Sequence, residues 1–329
     1  MIAPDAQVLL LLCSHLGLTS DLQPAPLKSN EWNQLARKLQ AANLRPAALL
    51  EWRAAELQTQ LSLTTAEAER IATLLERGGA LAILLERLES LGIRPITRAD
   101  ADYPQRYRQR LKESAPPVLF YAGEKALLGQ PGIAVVGSRH LDEVGQECAR
   151  FIGNACGLSG LVLYSGGARG VDTLSMESAL EARGTAVGVL ADSLEQALRR
   201  WSSALQRGDL CLVTPYSPNA GFSVGTAMGR NRLIYCLADY AIVVASDAET
   251  GGTWAGATEA LQHGWVPVFV LAHDDMPAGN RLLLQKGAVP FPHPFKEPPS
   301  QLAAWLAREA ARHPRPPAPP VQLGLFGEA

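Results

Sequence analysis

The sequence has 329 residues, of which 47% are hydrophobic and 19% are charged, and its formal net charge at pH 7 is −2. This composition predicts a globular chain with a sizeable core and excludes a disordered protein. The slightly negative charge excludes a non-specific nucleic-acid coat, so any nucleic-acid site must be a local basic patch.

The cysteines, the histidines and one apolar run bear on cellular compartment and on metals. Five cysteines without C-x-x-C spacing predict reduced, buried thiols in a cytoplasmic protein. The apolar run from Val8 to Cys13 is too short to span a bilayer, so it predicts a core helix and no membrane contact. His263, His273 and His293 lack the spacing of metal ligands, and we expect no metal and no cofactor.

Residues 1–95 predict a small all-helical domain. Trp32, Leu35 and Leu39 recur at helical spacing, and Thr64 with Glu67 predicts a capping box at the start of a later helix. No catalytic constellation occurs in this part of the sequence, which favours an accessory domain.

Residues 96–131 predict a connector that leads into the next domain. Its most prominent feature is a cluster of basic residues. Such a cluster forms a solvated face more often than a DNA site, and both interpretations stay open. The cluster consists of Arg106, Arg108, Arg110 and Lys112.

Residues 132–295 alternate short apolar runs with helical patterns. Continuous runs of Val, Leu and Ile are typical of parallel strands that are buried on both faces. Their alternation with helices predicts an α/β fold with a doubly wound, mostly parallel sheet. The predicted strands are Ile133–Val136, Leu161–Tyr164, Ala186–Leu190, Leu210–Val213, Ala241–Ala245 and Val266–Leu271.

The last part of the chain changes composition. Residues 296–320 are rich in proline and predict an extended linker that contains a short helical piece from Leu302 to Arg308. Residues 321–329 are largely apolar, which predicts an interaction tail rather than a solvated end.

Two glycine-rich turns organise the predicted sheet. One strand runs into Gly137-Ser138-Arg139, and the next runs into residues 165–170, Ser-Gly-Gly-Ala-Arg-Gly, before a helix. Glycines let the backbone approach a ligand, a helix start favours an anion, and arginine binds phosphate through paired hydrogen bonds. Because ligands of open α/β sheets bind at the carboxyl ends of the strands, these turns predict a phosphate site.

Three further loops combine glycine with Arg, Asn or Thr and open helices: Gly229-Arg230-Asn231-Arg232, Thr250-Gly251-Gly252-Thr253 and Gly279-Asn280-Arg281. Five such loops at strand ends predict a site for a polyanion. The predicted DNA or phosphate contacts are Gly137, Ser138, Arg139, Ser165, Gly166, Gly167, Arg169, Gly170, Arg230, Asn231, Arg232, Gly251, Gly252, Thr253, Asn280 and Arg281.

The order of these motifs over residues 90–290 resembles the DNA-processing protein A (DprA/Smf) family. Tyr103-Pro104 and the run from Pro117 to Gly123 are similar to that family's lead-in to the sheet. The resemblance implies a Rossmann-like domain, often preceded by a helical sterile-alpha-motif-like domain. It also implies a homodimer that binds single-stranded DNA and helps to load a RecA-type recombinase during DNA uptake. On this analogy the arginines of the turns would hold the DNA backbone.

Two departures from the family pattern indicate a divergent branch: Gly167 stands where leucine is common, and Gly251-Gly252-Thr253 replaces a Ser-Gly-Ser turn. Divergent relatives occur as partners of toxins in phage-defence operons, so an antitoxin or sensor is one alternative. Another is a nucleoside-monophosphate phosphoribohydrolase, since those enzymes have a similar fold and Gly-Gly-Thr turns. Glu259 lies further along the chain than their motif allows, which favours a protein that is not an enzyme.

The tail has a resemblance of its own. Residues 322–326, Gln-Leu-Gly-Leu-Phe, are similar to the peptide that binds the bacterial replication sliding clamp. Leu325 and Phe326 would fill an apolar groove on the clamp, with Gln322 and Leu323 completing the motif. The alternative is a contact with another protein, such as a toxin.

Overall fold

The computed structural model describes residues 2–18 and 24–313 and separates into two compact units. Unit 1 comprises Met1–Gln130 and Val187–Arg230, and unit 2 comprises Pro131–Ala186 and Asn231–Ala329. Two elements contain a unit boundary: strand β5 (Thr185–Val189) and helix α11 (Val224–Leu237).

The N-terminal part of unit 1 is helical, as the sequence predicts. Val8 and Leu9 to Leu12 are at most 1% exposed, which confirms that this apolar run forms a core helix. The predicted capping box is also present: Thr64 Oγ1 accepts the Glu67 N–H at 3.3 Å, and the Glu67 carboxylate accepts the Thr64 N–H at 2.8 Å. The helices are α1 (Pro4–Cys13), α2 (Ser29–Ala41), α3 (Ala54–Leu61), α4 (Thr65–Leu75) and α5 (Gly78–Ser90), with a 3-10 helix at Pro46–Glu51.

The predicted connector is part of the sheet instead. Strand β1 (Ile93–Thr97) begins inside the region predicted to be all-helical, and β2 (Val118–Gly123) pairs antiparallel with β1 and with β6 (Leu210–Thr214). Phe120 lies opposite both Pro95 and Thr214 in these ladders. The other helices that lie wholly in unit 1 are α6 (Gln105–Leu111), α9 (Leu194–Arg200) and α10 (Ser202–Arg207), with 3-10 helices at Lys112–Ser114 and Lys125–Gly129.

Unit 2 contains five parallel strands in the order β4-β3-β7-β8-β9. Between the successive strands lie helices, so the strands are buried on both faces and consist largely of Val, Ile and Leu. The strands are β3 (Gly132–Val136), β4 (Val162–Ser165), β7 (Tyr240–Val243), β8 (Val268–Ala272) and β9 (Val289–Pro292). The helices are α7 (Glu143–Ser159), α8 (Val171–Glu181), α12 (Gly251–His263), α13 (Ala278–Gln285) and α14 (Leu302–Arg312).

The nine strands form one sheet in the order β1-β2-β6-β5-β4-β3-β7-β8-β9, most of it parallel. The predicted fold class, a doubly wound, mostly parallel Rossmann-like α/β sheet with helices before it, is therefore confirmed. Within residues 2–18 and 24–313, no helix combines the length and the apolar character needed to cross a bilayer.

The beginning of the predicted linker is folded. Leu302 and Leu306 of α14 are fully buried, and Trp305 packs against Phe269, Phe291 and Phe295 with ring centroids 5.4–5.7 Å apart. The helical piece predicted from Leu302 to Arg308 is therefore present as part of α14, but these aromatic contacts hold α14 on unit 2, so residues 302–312 do not form an extended linker. The rest of the linker and the tail, residues 314–329, lie outside the described residues.

Candidate nucleic-acid interface

The carboxyl ends of β4, β3, β7 and β8 lie at the same edge of unit 2, because these neighbouring strands are parallel. The turns that follow them contain four of the five predicted glycine-rich loops or their helix starts. This edge is where open α/β sheets bind ligands. The structure thus brings most of the predicted site residues to one side of unit 2.

The turns after β3 and β4 touch each other. The Val171 N–H at the start of α8 donates to the Ser138 carbonyl at 3.3 Å. Gly170 has φ +88°, and a Cβ atom at this position would overlap the Ser138 carbonyl oxygen. Gly170 therefore lacks a side chain for two reasons, its left-handed backbone and the closeness of the second turn. The contact holds the two arginine-bearing turns side by side.

Arg139 and Arg169 are the exposed side chains of these two turns. Among the described residues, none forms a hydrogen bond or an ion pair with the Arg169 guanidinium. The Ser138 N–H donates to the Ala245 carbonyl at 2.9 Å, and Ser138 Oγ accepts the His140 N–H at 3.1 Å. The Ser138 N–H thus already has an acceptor, and the cationic groups that the two turns carry are the arginine side chains.

Two buried groups shape the turn after β4. Ser165 is fully buried and its hydroxyl donates to the Val135 carbonyl at 2.6 Å, so its side chain ties β4 to β3. Asp172, which is not among the predicted contacts, is 6% exposed and accepts the Ala168 N–H at 3.4 Å. The Asp172 carboxylate holds the turn in its conformation. The negative charge of Asp172 also acts on Tyr235, a buried residue of α11. Burial, with a smaller contribution from that charge, raises the pKa of the Tyr235 phenol, so the phenol stays neutral.

The turn before α12 packs against α11. A Cβ atom on Gly252 would lie 2.6 Å from Asn231 Nδ2, and one on Gly256 would lie 3.1 Å from Asn231 Cβ. Asn231 therefore lies against the first two turns of α12, and only glycine at residue 252 leaves room for it. The neighbouring side chains of Arg232 and Thr253 are half-buried.

Asn280 is not available to a ligand. Its side chain is fully buried, its carbonyl oxygen accepts the Ser246 N–H at 2.9 Å, and its amide donates to the Val244 and Leu271 carbonyls at 3.0 Å each. These three bonds join the ends of β7 and β8. The predicted phosphate contact of the Asn280 side chain is thus replaced by a structural role, as it is for Ser165.

The other predicted cations differ in their accessibility. Arg230, the last residue of unit 1, is 5% exposed and donates from Nη1 to the Val189 carbonyl at 2.6 Å, so a direct phosphate contact does not fit its position. Arg281 is exposed, and its guanidinium donates to the Asp274 carbonyl at 2.9 Å. In the basic cluster of unit 1, Arg106 and Arg108 donate to the carbonyls of Gln130 and Asp100, which favours the structural interpretation of that cluster.

Charge is distributed unevenly along this edge of unit 2. The turns after β3 and β4 carry the exposed Arg139 and Arg169 with one exposed carboxylate, that of Asp142. The turns after β7 and β8 carry four exposed carboxylates, those of Asp247, Glu249, Asp274 and Asp275. A phosphate is therefore attracted most strongly to the turns after β3 and β4. Among the described residues, no group of three His, Cys, Asp or Glu side chains is arranged to hold a metal ion.

The sequence is similar to DNA-processing proteins of several bacteria. The family model of DNA recombination-mediator protein A matches residues 94–296. DNA processing protein DprA of Streptococcus pneumoniae is 30% identical over 182 residues, covering 53% of this chain and 63% of that protein. DprA of Bacillus subtilis is 26% identical over 265 residues, covering 74% of this chain and 86% of that protein. Across the curated relatives, the matches span from 40% to 86% of the relatives' own lengths.

Solved structures are similar in fold. The structure of DNA processing protein A from S. pneumoniae superposes with a TM-score of 0.57 at 23% identity, covering 80% of this chain and 95% of that one. The structure of DNA processing protein A from Helicobacter pylori, described for its single-stranded DNA binding mode, has a TM-score of 0.52 at 24% identity, covering 60% of this chain and 90% of that one. The matched region contains every glycine-rich turn described above, and the chain belongs to the DNA recombination-mediator protein A family.

Proposed function

We propose that this chain binds single-stranded DNA, with the phosphates held at the turns after β3 and β4. The observation that carries the proposal is the pair of exposed arginines, Arg139 and Arg169, on two turns that touch each other. The protein has a net charge of −2, so these arginines form a local positive patch on a chain without a general affinity for polyanions. The structure of the H. pylori relative, which is described for its single-stranded DNA binding mode, supports the same class of ligand.

The proposed contacts explain binding without sequence preference. Arginine binds a phosphate oxygen pair through parallel hydrogen bonds, and such contacts carry no base information. The contact between Gly170 and Ser138 keeps the two turns together before DNA arrives, so little conformational freedom is lost on binding.

The test is a titration of the full chain with a labelled single-stranded oligonucleotide at several salt concentrations. Arg139→Ala and Arg169→Ala should each weaken binding, and each should reduce the salt dependence by about 0.7 in the slope of log K against log salt, the value for one lost phosphate contact. Arg150→Ala is the matched control, because Arg150 is an exposed arginine of unit 2 in the middle of α7. Unchanged affinity and slope in both turn variants, with melting curves like the wild type, would refute this placement of the DNA.

The partner proteins are proposed from family membership and not from contacts in the structure. We infer recombinase loading by a homodimer as the physiological role, on the strength of family membership, with an antitoxin or sensor role as the alternative. Mixing the protein and its DNA with a RecA-type recombinase should accelerate filament formation on single strands. No acceleration would favour the alternative.

The tail proposal rests on the sequence of residues 322–326 alone. We propose that this segment binds the replication sliding clamp through Leu325 and Phe326. A short peptide with two or three apolar anchors should bind with a Kd in the micromolar range. A synthetic peptide of residues 319–329 should bind purified clamp, and the double variant Leu325→Ala with Phe326→Ala should not. Absence of binding at high micromolar concentration would exclude the clamp as partner.

A further inference from the structure

Trp254 is an aromatic side chain beside the candidate site that the predicted contacts leave out. It lies in the first turn of α12, three residues after Gly251, and is half-buried. The ammonium group of Lys286, the residue that caps the C-terminus of α13, lies 5.7 Å from the centroid of the Trp254 ring. Lys286 itself is exposed. An aromatic ring at the start of α12 and a cation at the end of α13 thus stand together.

Helix geometry places Trp254 on a defined side of α12. Gly252 and Gly256 lie against Asn231 of α11. Since successive residues of an α-helix are rotated by about 100°, the residue two positions after Gly252 lies on the opposite side of the helix. The first turn of α12 therefore has a polar side chain of α11 on one flank and the Trp254–Lys286 pair on the other.

Both members of the pair have unused binding capacity. Among the described residues, none accepts a hydrogen bond from the Trp254 indole N–H, which is accessible to solvent, and none forms an ion pair with Lys286. A tryptophan that serves only in the core usually directs its N–H to a protein acceptor.

Carboxylates near the pair restrict where a phosphate can bind, so a phosphate next to a base stacked on Trp254 needs the cation of Lys286. Asp247 and Glu249 are exposed in the turn that leads into α12, and their carboxylates repel phosphate. An aromatic ring attracts any nucleobase, because every base has a face on which to stack. Arg139 and Arg169 are therefore suited to hold phosphates, while Trp254 is suited to a base further along the strand.

We propose that Trp254 stacks on an unpaired base of the bound strand and that Lys286 contacts the phosphate next to that base. This inference rests on the proposed function, and it adds a reason for single-strand preference: in a duplex both faces of each base are already stacked on neighbours. The site takes a nucleotide unit of any sequence, since stacking and a lysine contact do not distinguish bases.

Fluorescence tests the stacking directly. A thymidine oligonucleotide of about 15 nucleotides, within the range of known single-strand site sizes, should quench part of the emission of the six tryptophans. Trp254→Phe should remove most of that quenching. Trp265→Phe is the control, because Trp265 is half-buried at the other end of α12, where it stacks on His263 with ring centroids 5.1 Å apart. A strand of the same length without bases should bind through its phosphates and should not quench Trp254.

Affinity measurements complete the test. Trp254→Ala should weaken binding of the thymidine strand about 5- to 150-fold, the range for one stacked base, and should leave binding of the strand without bases unchanged. Lys286→Gln should reduce the salt slope by about 0.7, whereas Lys296→Gln, at an exposed lysine after β9, should not.

The outcomes separate this inference from the proposed function. If the wild-type protein binds no single-stranded DNA, the proposed function fails. If the wild type binds but Trp254→Phe keeps the full quenching and Trp254→Ala the full affinity, Trp254 only packs against Lys286 and this inference is wrong. If Trp254→Ala melts at a lower temperature than the wild type, its loss of affinity can reflect loss of structure. The quenching measured with Trp254→Phe then decides whether Trp254 stacks on a base.

Discussion

Replacing Asn280 by alanine should destabilise unit 2 without removing a ligand contact. The side chain is fully buried and makes three hydrogen bonds, to the backbones of Ser246, Val244 and Leu271. Asn280→Ala leaves one buried N–H and two carbonyls without these partners. At about 1 kcal/mol for each bond, the loss is about 3 kcal/mol, a large part of the 5–15 kcal/mol that stabilises a typical domain.

The assay is urea unfolding of the full chain followed by circular dichroism. The midpoint should fall while the dependence on urea stays the same, because the surface exposed on unfolding hardly changes. Asn154→Ala is the matched control: Asn154 is an exposed residue of α7, and its replacement should alter the free energy of unfolding by less than about 0.5 kcal/mol. At a temperature where Asn280→Ala is folded, its affinity for single-stranded DNA should equal that of the wild type.

The stability of Asn280→Asp should depend on pH. A buried carboxylate facing two carbonyl oxygens is disfavoured in its charged form, so its pKa in the folded state is raised above the value of about 3.9 for the unfolded chain. The neutral acid can donate one of the lost hydrogen bonds, and this stabilisation disappears as the pH rises through the raised pKa. Asn280→Asp should therefore be less stable at pH 8 than at pH 5. A variant with the wild-type midpoint but weakened DNA binding would refute this account of Asn280.

Three further predictions concern other parts of unit 2. Gly170→Ala should lower the free energy of unfolding by about 1–3 kcal/mol, because alanine is strained at the positive φ of this residue and its Cβ atom pushes the Ser138 carbonyl away. The same displacement should weaken DNA binding. Thermal melting measures the first effect and titration with single-stranded DNA the second. Burial raises the pKa of the Cys148 and Cys156 thiols to about 12, so at pH 8 they should react with iodoacetamide only after unfolding, as mass spectrometry of the labelled chain would show. The wild type should release no free base from nucleoside monophosphates; a release that Glu259→Ala abolishes would favour the phosphoribohydrolase alternative.

Local sequence patterns predicted four of the five parallel strands of unit 2, β3, β4, β7 and β8, and the turns that follow them, but they did not predict β9. These features depend on residues close together in the chain. A run such as Ile133–Val136 is typical of a strand that is buried on both faces. A glycine such as Gly170 indicates a positive φ angle, which other residues avoid. The capping box of Thr64 and Glu67 belongs to the same class, since its bonds join residues three positions apart.

The sequence predicted the turns at this edge of unit 2, but it did not decide which side chains reach the surface, and it placed Gly229 to Arg232 in a loop where the structure has helix α11. Arg139 and Arg230 have the same chemistry and both lie near glycine, yet the first is exposed and the second is 5% exposed. The difference arises because Val189, 41 residues away in the chain, offers its carbonyl to Arg230. No local pattern contains that information.

Three features depend on contacts between residues far apart in the chain: the edges of the sheet, the burial of Asn280 and the position of α14. Strand β2 reads as part of a connector until its ladder to β6 is formed, with Tyr121 opposite Val213. Asn280 lies in the first turn of α13, in a segment that matches an anion site in composition, but its partners Ser246 and Val244 come from another strand end. In each case the free energy comes from hydrogen bonds and apolar contacts between residues far apart in the chain, which local sequence patterns do not encode.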